Sequence, residues 1–222
     1  MIQHHPDDGL LLAQAAGRLS SGHALLVASH LDHCEHCRDR LVVLESLGGA
    51  MLEALPPAVL ASQSLVQAMA AIDAEPDMPE ASVVQRPAPP LVRPTLPEGM
   101  AWPRALAHCS ATPWRWLAPG MRWSRVSVPY DAAAKVFLLR IGAGKELAFH
   151  THSQSELTQV LHGAFHDGRS LFGPGDFDET DGDIHHQPKV LENGECICLA
   201  SVEGRVMFKG AIARLMGSLI GM

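Results

Sequence analysis

Apolar and polar positions follow two different periods along the chain, and the change between them divides it into two parts. Residues 7–19 (DDGLLLAQAAGRL), 20–33 (SSGHALLVASHLDH), 37–55 (CRDRLVVLESLGGAMLEAL) and 62–74 (SQSLVQAMAAIDA) place apolar residues three and four apart, the spacing that lines one face of a helix. Four helices are expected, with Asp8 and Ser21 as N-caps. Further on, RWSRVSVPY, AKVFLLRIG, ELTQVLHGAF, ECICLASV and RVMFKGA are short runs separated by Gly, Pro and Asp turns, which predicts many short antiparallel strands closing into a β-barrel or sandwich. Between the two textures, residues 75–103 contain half of the 16 prolines and follow neither period, so they read as an extended linker. The expected fold class is a two-domain α + β protein: a small helical bundle over 1–74, the linker, and an antiparallel barrel over 104–222. The terminal ARLMGSLIGM is too short to span a membrane and is expected to pack on the barrel or on a partner.

Composition narrows what such a molecule can do. Lys and Arg total 17 against 24 Asp and Glu, a formal charge of -7, which argues against a protein that grips phosphate backbones; no direct nucleic-acid partner is expected. The N-terminus shows no basic patch followed by an apolar core and cleavage site, and no run approaches a spanning helix, so the expectation is a cytoplasmic chain without a membrane partner. Five cysteines, two of them in Cys34-x-x-Cys37 beside histidines, suit metal ligation in a reducing compartment better than a disulfide framework.

The densest chemistry in the first part is HLDHCEHC, residues 30–37. His30 and Cys34, four apart, share a face if they share a helix, and Cys34-x-x-Cys37 can converge at the mouth of the next helix. A tetrahedral zinc ion needs a fourth donor, and His4 and His5 stand just ahead of the first helix; His5, the nearer, is the expected ligand. The plainer reading leaves these as polar residues at a helix end with two small buried thiols. His33 and His36 are expected to face solvent, and His23 to be an ordinary helix residue. Residues 1–74 resemble the zinc-binding anti-sigma domain, and that resemblance implies a single Zn²⁺ held by His5, His30, Cys34 and Cys37. Redox-sensing members of that family carry a cysteine where this chain has the early histidine, so the resemblance points to structural zinc rather than a thiol trigger here.

The second part carries G-x5-H-x-H-x3-E-x6-G between Gly144 and Gly163. On a strand His150 and His152 point to the same side of the sheet, and Glu156 follows after a turn. The spacing is that of the first cupin motif. A looser second motif, GRSLFGPGD, is followed by His185-His186; strand alternation should leave only one of them facing inward, and the resemblance to the cupin pattern, which places the ligand just before an x-Pro pair as in His186-Gln187-Pro188, implies His186, with His185 the runner-up. Three nitrogens and one oxygen suit Zn²⁺ or another divalent transition metal such as iron, manganese or nickel. The alternative is a metal-free barrel with hydrogen-bonded core histidines. His162 and His166 are expected to be structural or superficial. Cys196 and Cys198 share a strand face, as small core residues or as a redox pair, and Cys109 has no assigned role. Trp114, Trp116 and Trp123 are expected to pack the barrel.

Helices, proline-rich linker and cupin in this order resemble the ChrR family of transcriptional regulators. The resemblance implies an anti-sigma factor that holds an extracytoplasmic-function sigma factor, in a 1:1 complex, and releases it when the cupin half responds to singlet oxygen or related oxidants. It implies no catalytic residues and no enzymatic activity; a dimer through the cupin halves is left open. The rival expectation is a cupin metalloenzyme of dioxygenase or isomerase type with an accessory zinc module.

Overall fold

The computed structural model describes residues 1–74 and 91–208; the proline-rich stretch 75–90 and the terminal ARLMGSLIGM lie outside the described residues. Among the described residues, 1–48 and 91–208 form one compact unit and 49–74 belong to a second. Among the described residues no helix is long and apolar enough to cross a membrane.

The four expected helices are present as α1 (Asp8–Ala15), α2 (Ser21–Leu31), α3 (Glu35–Glu53) and α4 (Ser64–Asp73). Both expected caps move back by one residue. The Asp7 side chain accepts from the Leu10 backbone N–H and that of Ser20 from His23, satisfying helix-end donors that would otherwise be unpaired.

Twelve strands follow: β1 (Ser110–Ala111), β2 (Arg115–Ala118), β3 (Met121–Val128), β4 (Asp131–Ile141), β5 (His150–His152), β6 (Glu156–His162), β7 (Phe165–His166), β8 (Leu171–Phe172), β9 (Phe177–Thr180), β10 (Lys189–Val190), β11 (Cys196–Val202) and β12 (Val206–Phe208). The main sheet runs β1-β3-β4-β11-β6-β9 with β2 beside β3; β10-β7-β8 and β12-β5 form two smaller sheets, and every pairing is antiparallel.

Alternation along the central strands builds two cores. Cys196, Cys198, Ala200 and Val202 of β11 join Phe137, Leu139 and Trp123 in one cluster, the barrel interior. Ile197 and Leu199, one step out of phase, join Leu138 and Leu157 in the other, which takes in Leu26 and Val27 of α2 and Leu11 of α1. The outer face of the main sheet is thus roofed by the first two helices. At Gly22 the approach is close enough that a Cβ would stand 2.5 Å from Ser201 Oγ. Residues 91–103 also lie against this core: Met100 and Trp102 pack on it, and the Ala111 N–H donates to the Val92 carbonyl at 2.8 Å.

The helices beyond the roof differ. Cys37 is the one buried residue of α3, and α4 buries none, so Val43, Leu47, Met51, Leu65 and Met69 all stand more than half exposed.

Candidate metal centres

His5, His30, Cys34 and Cys37 converge. One donor atom from each lies within 4.8 Å of all the others: His5 Nδ1 stands 3.3 Å from Cys34 Sγ and 3.4 Å from Cys37 Sγ, and His30 Nε2 is 3.3 Å from Cys37 Sγ. His30 closes α2 and the thiols bracket the first turn of α3. His5 arrives on the non-helical segment ahead of α1. Donors bound about 2.0–2.3 Å from one tetrahedral ion stand about 3.3–3.8 Å apart, so the spacing fits a zinc ion. Burial draws the His30 imidazole down to about 4, leaving it neutral with a lone pair to offer. Burial and the Cys34 neighbour push the Cys37 thiol up to about 12 in the absence of a cation; an ion between the sulfurs would reverse that order. His33 and His36 face solvent.

The second group is His150, His152, Glu156 and His186, again with four donor atoms within 4.8 Å and every residue buried. The two histidines of β5 point inward with Glu156 at the head of β6, and His186 is brought opposite His150 by a reciprocal pair of backbone hydrogen bonds at 3.2 Å. Their Nε2 atoms converge: His186 to His150 is 3.0 Å and to His152 3.5 Å, while Glu156 Oε2 lies 2.9 Å from His152 Nε2 and 3.9 Å from His186 Nε2. His150 Nδ1 donates to the Ala148 carbonyl at 2.8 Å, which leaves its Nε2 as an acceptor; three imidazoles facing one another in this way supply lone pairs that a cation would satisfy. Burial draws His186 down to about 4. It works to raise the Glu156 carboxyl, but the hydrogen bond and charge of His152, with those of His150 and His186, outweigh it and hold the group below its usual range. His185, next in line to His186, is exposed beside Phe149.

Several residues near these groups are not evident in the sequence. Asp167 and Asp178 come within 4.8 Å of a His186 nitrogen, bridged to each other by Arg169, whose Nη2 is 2.8 Å from Asp178 Oδ1; burial lifts Asp178 to about 7. Cys196 and Cys198 face the barrel interior, the same side by their two-residue spacing, and their side chains turn toward each other to bring the sulfurs 3.6 Å apart. His23 is not an ordinary helix residue. It is buried between α2 and the barrel, with Nδ1 3.0 Å from Ser201 Oγ and Nε2 2.9 Å from Ser155 Oγ, next to Glu156. Its partners are 178 and 132 residues away, beyond any local signal. Trp123 packs the barrel and Trp114 is half-buried, but Trp116 is 71% exposed, because it falls on the outward phase of an edge strand.

An antiparallel barrel enclosing a His–His–Glu–His group, in a chain that begins with helices, has the arrangement of a cupin with a helical module ahead of it. Residues 103–203 match the family model described as the ChrR cupin-like domain. The chain is 35% identical over 223 residues to the anti-sigma-E factor ChrR of Cereibacter sphaeroides, an alignment covering 97% of this chain and 96% of that protein. It is also similar to the crystal structure of Rhodobacter sphaeroides SigE in complex with the anti-sigma ChrR, with a TM-score of 0.66 and 32% identity over 91% of this chain and 100% of that one. The chain belongs to the ChrR family of anti-sigma factors. Membership places it with regulators rather than with cupin enzymes.

Proposed function

We propose that this chain binds an extracytoplasmic-function sigma factor in a 1:1 cytoplasmic complex through its helices, and lets it go in response to oxidative signals such as singlet oxygen. The observation that carries the reading is the set of exposed apolar residues that α3 and α4 each carry, on a chain whose relative is an anti-sigma factor. The earlier helices spend their apolar faces on the barrel; these two keep theirs free, as sites that take a partner's helices do.

In this reading residues 1–74 are the inhibitory module, 75–103 the connection and 104–222 the sensing cupin. His5, His30, Cys34 and Cys37 hold Zn²⁺ as a structural knot that joins the segment before α1 to the α2–α3 corner. His150, His152, Glu156 and His186 hold Zn²⁺ or another divalent transition metal. Sequestration is competition with polymerase, and release needs only a state of the cupin in which the helices bind less tightly.

The test is a reporter driven by the partner sigma factor, in cells exposed to light and a photosensitiser. The wild-type chain should repress in the dark and permit induction in the light, while His150→Ala or Glu156→Ala should repress in both. Induction unchanged in these variants would refute the sensing role of the cupin group.

A further inference from the structure

Two of the four donors at the first centre are held from outside the helical module, by one turn of the barrel. Residues Gly173 to Phe177 link β8 to β9. The Gly175 carbonyl accepts from His30 Nδ1 at 3.0 Å, which turns His30 Nε2 toward the sulfurs. Asp176, 5% exposed, receives the segment that carries His5: Oδ1 accepts the Gln3 N–H at 2.6 Å and the His4 N–H at 3.0 Å, while Oδ2 accepts from Gly173 at 2.8 Å. The Phe177 N–H then donates to the His4 carbonyl at 3.1 Å, so residues 3 and 4 are laced to the turn just before the ligand. The turn admits this approach because residue 175 is a glycine at φ 91; a Cβ there would stand 2.7 Å from Ile2.

We infer that Asp176 is a positioning residue for the first metal centre, and that the cupin turn 173–177 forms its outer shell. The inference rests on reading the His5, His30, Cys34 and Cys37 group as a metal site. Partners that orient a ligand without touching the ion commonly contribute about 10–100-fold to metal affinity. Strand β9 begins at this turn and ends at Thr180, which is paired with Glu156 of the second centre. The two groups are therefore joined by one short strand, about 10 Å from end to end.

Full-length protein loaded with Co²⁺ reports on the first centre alone, because only that centre offers thiolates for ligand-to-metal charge transfer. Against a competing chelator, Asp176→Ala should surrender this absorption at a 10–100-fold lower chelator concentration than wild type, with Asp176→Asn in between, while metal in the barrel stays as in wild type. Should the alanine variant fail to fold, Asp176→Asn decides. Folded Asp176 variants that hold cobalt as tightly as wild type overturn the inference and leave the metal reading intact. A wild-type chain that shows no thiolate band at all overturns both.

Discussion

Burial is costly for the side chains gathered at either centre unless something offsets it. Two thiols and the His30 imidazole at the first group, beside a half-buried His5, and three imidazoles with a carboxylate at the second, are removed from water with donor atoms facing one another. Removing one donor should therefore remove the ion: Cys34→Ala or His30→Ala is expected to abolish stoichiometric zinc at the first centre, measured by metal analysis of the purified chain, and to weaken sigma binding at least 100-fold. His23, which belongs to neither donor group, gives a pH signature of its own. Burial, its main influence, holds it below the ordinary histidine value against the pull of Glu203 and Glu156, so the folded protein keeps it neutral while the unfolded chain protonates it near pH 6.5. Its contribution is present above about pH 6.5 and is lost as the pH falls below that value. His23→Gln, which cannot charge, should show a shallower decline of the unfolding temperature between about pH 6.5 and 5 than wild type. An equal decline would remove His23 from the acid response.

Local spacing made the candidate donor residues legible, whereas what surrounds them was hidden. His150 and His152 share a side by the strand period, and His30, Cys34 and Cys37 are gathered within one short stretch at the α2–α3 corner, while alternation allows only one of His185 and His186 inward without deciding which. Asp176 and His23 act across the chain, on residues more than 130 positions away, and nothing in their neighbourhood announces it.

Among the elements, α2 and α4 make opposite use of similar sequences. Both are short, apolar helices, yet α2 buries Leu26 and Val27 completely against the sheet, whereas Leu65 and Met69 of α4 are exposed. Leu26→Ala should cost about 2–5 kcal/mol of unfolding free energy, read by denaturant titration, since it opens a cavity in a core shared by helix and barrel. Leu65→Asp should leave that free energy within about 0.5 kcal/mol of wild type while weakening sigma binding at least tenfold, about 1.4 kcal/mol. Equal binding by the Leu65 variant would move the contact surface away from α4. Periodicity disclosed all four helices and the long strands β3, β4, β6 and β11. It passed over β7, β8 and β10, two-residue strands too short to display a period. The cap positions slipped by one because Asp7-Asp8 and Ser20-Ser21 repeat the same chemistry in tandem, and only backbone geometry separates the members of each pair.

On the scale of the whole molecule, the first helices are not a free-standing bundle. They roof the outer sheet of the cupin and share its core, and His30 and the segment ahead of α1 hydrogen-bond to its 173–177 turn. The boundary in sequence texture near residue 75 marks a change of secondary structure, while packing joins α1 and α2 to strands more than 100 residues downstream. The central claim is that a metal ion ties these helices into the form that holds a sigma factor. It is tested most directly by isothermal titration of the full-length chain into the purified sigma subunit, before and after zinc is removed from the first centre. The account predicts a 1:1 complex for the zinc-loaded chain and at least a 100-fold loss of affinity, about 2.7 kcal/mol, for the stripped one. Equal affinity in both states, or no complex with the zinc-loaded chain, would contradict it.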